Sequence, residues 1–171
     1  MNNELKADLY RYNGMSGMYM KKFHFYFRAV QSCHNKILKR LLNYRFLSIK
    51  ARRGIEIAYT TKIGKGLYLG HAYNITINPN AVISENVNLH KGVTIGAELR
   101  GSRKGVPIIG DRVWIGINAT VVGNIQIGDD VLIASNSFVN CDIPSHSIVF
   151  GNPCIIKHCE DATKDYINYV S

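Results

Sequence analysis

Ile109-Gly-Asp-Arg-Val-Trp-Ile-Gly-Ile-Asn-Ala-Thr-Val-Val-Gly-Asn-Ile-Gln-Ile-Gly-Asp-Asp-Val-Leu-Ile-Ala134 is the stretch that decides the fold. An aliphatic residue returns at every sixth position: Ile109, Ile115, Val121, Ile127 and Ile133, then Val139 beyond it. A second beat falls four residues after the first, at Val113, Ala119, Ile125, Val131 and Ser137. Towards the N-terminus the first beat reads Ile57, Ile63 and Leu69, then slips by two residues at Ile75-Thr76 and resumes at Ile77, Ile83, Leu89 and Ile95. Its second beat there is Thr61, Leu67, Ala81, Val87 and Val93. A period of six matches neither helical spacing nor strand alternation. It matches short strands joined by tight corners, each residue stacking on its equivalent one coil later. The pattern predicts a β-solenoid with these residues pointing inward.

Composition bounds the rest. The chain has 171 residues, 46% hydrophobic and 19% charged, as expected for one globular domain with an appendage. No run of eighteen apolar residues suggests a spanning helix, and the first residues lack the apolar core of a secretory signal. Cys33, Cys141, Cys154 and Cys159 show neither metal-ligand spacing nor disulfide density, which predicts reduced thiols, no bound metal and a cytoplasmic location.

The net charge of +9 is unevenly placed. Residues 1–53 hold twelve Lys or Arg against Glu4 and Asp8, about +10, whereas the remaining residues hold nine against ten acids. Residues 18–47 lack Pro and Gly and repeat apolar residues at helical spacing: Phe23, Phe27, Val30, Ile37, Leu38, Leu41, Leu42 and Leu47. They predict one or two amphipathic helices, with Lys21, Lys22, Arg28, Lys36, Lys39 and Arg40 on the solvent face. This basic segment has two readings: a cap over the open end of the solenoid, or a peripheral contact with the anionic inner face of a membrane through residues 18–53. The second uses Phe23, Phe25, Tyr26 and Phe27 as anchors. Nucleic-acid binding has no supporting motif. The expected organisation is a basic helical segment over 1–54, a solenoid over 55–157 and a tail over 158–171 that could form a short helix.

Residues 55–157 resemble the left-handed parallel β-helix of hexapeptide-repeat acyltransferases, specifically the serine acetyltransferases and their polysaccharide O-acetyltransferase relatives. The resemblance rests on Lys62-Ile-Gly-Lys-Gly-Leu-Tyr-Leu-Gly-His71, Gly92-Val-Thr-Ile-Gly96, Val113-Trp-Ile-Gly116 and Gly151-Asn-Pro153. It implies a mainly β fold and a homotrimer with active sites between subunits. It also implies transfer of acetyl from acetyl-CoA to a hydroxyl, and because no cysteine stands in a nucleophile setting, direct transfer without an acyl-enzyme is expected.

His71 matches the catalytic base of that family; its residue type and place also fit a solvated corner histidine. Acetyl transfer to an alcohol needs a base, and a neutral imidazole can take the hydroxyl proton and return it to the leaving thiolate. Glu56, where the family has aspartate, would orient it. His90 could line the acceptor pocket or fill a corner. The resemblance puts coenzyme A against Gly96, Gly116, Ala134 and Ser135, with Lys157 near its phosphates. It makes Ala97–Ile108 a lid whose Arg100 and Arg103 meet an anionic acceptor or those phosphates. Two departures bear on the acceptor. The family's aspartate before the catalytic histidine is here Gly70, and the Arg-His pair before the loop proline is here Gly105-Val106. These residues hold serine, so their absence points to a sugar hydroxyl of a cell-surface polysaccharide or its precursor. Serine O-acetylation and a non-catalytic scaffold are the rivals.

Overall fold

The computed structural model describes residues 3–14 and 17–170, and among these it contains three helices followed by fourteen strands. The helices are α1 (Asn3–Tyr10), α2 (Met18–Ser32) and α3 (Lys36–Ala51). Asn35 ends the apolar run between α2 and α3, its side chain accepting from the Ile37 and Leu38 N–H groups as an N-cap. The expected one-or-two helices are therefore two, and the second runs four residues past Leu47.

The strands wind into a three-sided prism. One face stacks β1 (Lys62–Ile63), β4 (Val82–Ile83), β7 (Ile108–Ile109) and β10 (Gln126–Ile127). A second stacks β3 (Thr76–Ile77), β6 (Thr94–Gly96), β9 (Thr120–Val122) and β12 (Phe138–Val139). The third holds β2 (Tyr68–Gly70), β5 (Asn88–His90), β8 (Trp114–Ile115), β11 (Val131–Ile133) and β13 (Ser147–Phe150), and ends on β14 (Ile155–His158). Pairing is parallel throughout except for β13 with β14. Uninterrupted coils advance eighteen residues, Trp114 lying opposite Leu132 and Thr120 opposite Phe138. The slip at Ile75-Thr76 lengthens the first full coil, so that Lys62 pairs with Val82.

Both sequence beats point inward. Leu89, Ile95, Ile109, Ile115, Val121 and Ile133 are fully buried, as are Val87, Val93, Val113, Ala119 and Val131. The corners are held by left-handed backbone at Asn86, Arg112, Asn118, Asp130 and Asn136, a conformation that asparagine and aspartate tolerate better than most residues.

A solenoid's first coil leaves its outer edge of N–H and C=O groups unpaired. Here the helices cover it. Phe23, Phe27, Val30 and Phe46 join the solenoid core, and polar side chains satisfy the edge. Asp8 accepts from the Leu67 N–H at 2.9 Å, and the Tyr12 hydroxyl accepts from the Leu69 N–H at 2.9 Å. Arg28 donates to the Ile63 and Gly64 carbonyls at 2.8 and 2.6 Å, and Lys50 donates to that of Ile57 at 3.1 Å. Asp8 and Arg28 are themselves paired at 2.8 Å, and His24 lies 3.3 Å from the same carboxylate. The cap is thus built on Arg28, which the helical pattern placed on the solvent face. It is buried because only a fixed, multiply donating cation satisfies both carbonyls and Asp8.

Two further expectations are corrected. Phe23 and Phe27 are 0% exposed, so neither can anchor in a membrane. Phe25, another of the named anchors, is half-exposed, and the outward apolar residues are shared between α2, at Met18 and Phe25, and α3, at Ile37, Leu41 and Tyr44. The tail is no helix: after β14 it runs in turns, with Asp130 accepting from the Ala162 and Thr163 N–H groups and the Thr163 hydroxyl. That carboxylate holds the turn in place of helical hydrogen bonding.

Burial alone would raise the Asp8 pKa, but hydrogen bonds from His24 and Arg28 outweigh it and hold the value below the usual 3.8. A depressed folded-state value means that its stabilisation is complete above about 4 and is lost as pH falls through the folded value. Removing the carboxylate strands a buried cation, so Asp8→Ala should cost about 3–5 kcal/mol in chemical denaturation at neutral pH. A loss within about 0.5 kcal/mol, typical of a surface site, would contradict the cap.

Candidate active site

β2 ends on Gly70, and the chain turns into the next face through His71. His71 is exposed and held at φ 49°, with Asn74 at 51° on the same corner. Left-handed backbone at a non-glycine residue is uncommon and marks a position held by its surroundings. The Asn74 N–H bonds to the Arg53 carbonyl of the preceding turn, which fixes the corner against the helical cap.

His90 is one coil further on, paired with Gly70 across β2 and β5. A Cβ at residue 70 would stand 2.5 Å from the His90 ring, so the imidazole occupies the space that any side chain at 70 would need. Burial, reinforced by the neighbouring His71, pushes the His90 pKa down to about 4, and its Nε2 is buried without a hydrogen-bond partner among the described residues. His90 is therefore neutral at physiological pH. It belongs to an aromatic row on the outer face of this sheet: Tyr68 lies 6.3 Å from it, Trp114 4.7 Å, and Tyr166 of the tail 5.2 Å beyond Trp114.

Glu56 lies on the adjoining face, bridged to Thr76 through the backbone. Glu56 and His71 thus flank the same corner, but no hydrogen bond or ion pair joins them among the described residues. Glu56 instead shares a groove of about 350 Å³ with Lys50, Thr76, Asn78 and Gly96. Burial lowers the Lys50 pKa, with Glu56 opposing the shift. Gly96 is therefore beside Glu56, while the other expected coenzyme residues are elsewhere. Gly116 and Ser135 stack on the same corner as His71, two and three coils on, with Ser135 Oγ accepting from the Ile117 N–H at 3.2 Å. Ala134 precedes Ser135 and pairs with the Val149 carbonyl. Lys157 lies exposed on β14 with its ammonium 5.5 Å from the Phe150 ring.

The loop after β6 folds back on itself. Glu98 and Gly105 exchange backbone hydrogen bonds, Arg103 pairs with Glu98 at 3.3 Å, and Asn124 ties the loop to the next coil. Arg103 is thus already partnered, whereas Arg100 is exposed at the tip. One chain therefore brings together His71 with His90, Glu56 with Gly96, and Gly116 with Ser135, but not all of them into one cavity. Sequence reasoning missed Tyr68 and Tyr166 beside His90. Tyr68 was visible as an outward residue two before Gly70, whereas Tyr166 arrives from the tail without any periodic signal.

A prism of eighteen-residue coils with a loop and a histidine corner defines the hexapeptide-repeat left-handed β-helix, and the family model "Bacterial transferase hexapeptide (six repeats)" matches residues 107–141. The chain has the fold of this repeat class and is similar to the serine acetyltransferases. It is 42% identical over 100 residues to the serine acetyltransferase of Staphylococcus aureus, covering 58% of this chain and 47% of that protein. It is 35% identical over 131 residues to serine acetyltransferase 2 of Arabidopsis thaliana, covering 69% of this chain and 40% of that one. The chain thus spans less than half the length of these curated relatives. Among solved structures, the serine acetyltransferase of Brucella abortus superposes with a TM-score of 0.77 at 27% identity, covering 94% of this chain and 70% of that chain.

Two outcomes check the geometry. The His90 ring should show no titration between pH 5 and 8 by nitrogen-detected NMR, because its depressed pKa keeps it neutral there. Gly70→Ala should displace that ring and lower turnover about tenfold or more, the cost of about 1.4 kcal/mol in positioning. Gly70→Ala with His90→Ala should recover part of the loss. A fully active single variant would show that the ring has room to move.

Proposed function

We propose that this chain is an acetyl-CoA-dependent O-acetyltransferase acting by direct transfer, with His71 as general base. The observation that carries this is His71 itself, exposed in left-handed backbone at the corner of a solenoid similar to those of serine acetyltransferases. His71 takes the proton of the acceptor hydroxyl as its oxygen attacks the thioester carbonyl. The carbon–sulfur bond then breaks, and the proton passes to the departing thiolate, leaving an acetate ester and free coenzyme A. Glu56, across the same corner, stabilises the imidazolium. Gly96, Gly116, Ala134, Ser135 and Lys157 belong to the coenzyme groove. Their separation within one chain supports a homotrimer in which neighbouring subunits complete each site.

The relatives favour L-serine as the acceptor, ahead of the polysaccharide hydroxyl expected from the sequence. A specific observation keeps the sugar as a second reading. His90 fills the space over Gly70, so no carboxylate can stand there beside His71 to receive an amino acid's ammonium group.

Release of free thiol from acetyl-CoA, followed with L-serine and with a panel of sugars, separates the two acceptors. His71→Ala should lose about two to four orders of magnitude with either. Near-normal activity of that variant would remove His71 from the chemistry. Turnover confined to serine would end the sugar reading, and turnover confined to sugars would end the serine reading.

A further inference from the structure

A cavity of about 300 Å³ lies on the outer face of the sheet that carries His90, roofed by the segment after α1 and by the C-terminal tail. Its walls include Tyr68, His90, Trp114, Tyr166 and Tyr169. The roof is latched. Arg11 donates to the Asn168 carbonyl and to the Asn88 side-chain oxygen, Asn13 donates to the Tyr169 hydroxyl at 2.8 Å, and Asn88 donates to the Tyr166 carbonyl at 3.2 Å. Residues 11–13 and 166–169 are thus brought together over the aromatic row.

The chemistry of the walls selects its occupant. No carboxylate is present among the lining residues, so nothing there receives an ammonium group. Arg11 is the one lining cation. Its two terminal nitrogens donate to Asn168 and Asn88 and so hold the roof, which leaves its Nε–H, buried without a partner among the described residues, as a donor for the oxygen of an occupant. His90 is neutral. The other lining groups are uncharged: aromatic faces, phenolic hydroxyls and the carboxamides of Asn13 and Asn168. Apolar aromatic walls with a few neutral hydrogen-bonding groups suit a compact ring that has a C–H face and a hydroxyl edge.

We propose that this cavity binds a neutral pyranose ring, with Trp114 and Tyr166 against its C–H face, and that it is the acceptor subsite next to His71. Its role as an acceptor subsite rests on the second reading of the function. The pocket itself rests on its own walls.

Trp114 is the only tryptophan in the chain and lines the cavity, so its fluorescence reads occupancy without requiring turnover. The full chain would be titrated with methyl glycosides of glucose, galactose and N-acetylglucosamine, and separately with L-serine. At least one glycoside should change the emission saturably, with half-saturation on the order of millimolar. Tyr166→Ala removes an exposed side chain of the tail and should weaken that half-saturation about tenfold while leaving the thermal midpoint in place. A response to serine alone, or a glycoside response unchanged in Tyr166→Ala, would overturn the pocket. Thiol-release assays on the same glycosides separate its failure from that of the acceptor reading. Sugar binding without sugar acetylation supports the pocket and overturns its acceptor role. Sugar acetylation with silent Trp114 keeps the acceptor reading and overturns the pocket.

Discussion

The buried pair of Asp8 and Arg28 is the interaction on which the rest of this structure depends. A parallel solenoid has no natural beginning, because its first strands present backbone groups to nothing. Asp8 and Arg28 meet that edge at Leu67, Ile63 and Gly64, and they neutralise each other while doing so. A buried ion pair often adds little net stability over an apolar replacement. Its value here is that it satisfies backbone donors and acceptors that an apolar side chain would leave orphaned. The same network extends through His24 to Tyr12, whose hydroxyl holds Leu69 one residue before Gly70. The cap therefore fixes the strand that delivers His71.

The solenoid was legible from the sequence because each coil repeats one physical requirement. Ile115, Val121 and Ile127 bury the same face in the same way, so periodicity alone locates them. The loop and the slip at Ile75-Thr76 were legible as interruptions of that period. The cap was not, since Asp8 and Arg28 are joined to Leu67 and Ile63 across gaps of 59 and 35 residues that no local pattern records. Helical spacing assigned Arg28 to solvent by its charge, and only the unpaired edge of the first coil explains why it faces inward. The tail escaped for a similar reason. Its path is set by Asp130 accepting from Ala162 and Thr163, which replaces the helix that its length allowed.

The candidate site was half legible. His71 and Gly70 stood out against the repeat, and their matching to a known family suggested a role. The physical consequence of Gly70 needed coordinates, because it depends on His90 lying over it from the next coil. Likewise the aromatic row joins Tyr68, His90 and Trp114 from three successive coils to Tyr166 from the tail. Parallel stacking turns residues twenty or more positions apart into neighbours, and the aromatic face of the molecule is made in that way. The residues that the resemblance assigned to coenzyme A divide between the groove beside Glu56 and the corner beyond His71.

Direct transfer is the central claim, and it has a direct measurement. During turnover of acetyl-CoA with a productive acceptor, the reaction would be quenched at successive times and the intact chain weighed by mass spectrometry. The account predicts an unmodified chain at every time while the O-acetylated product accumulates. An acetyl group found on the protein, formed and lost at rates matching turnover, would contradict it.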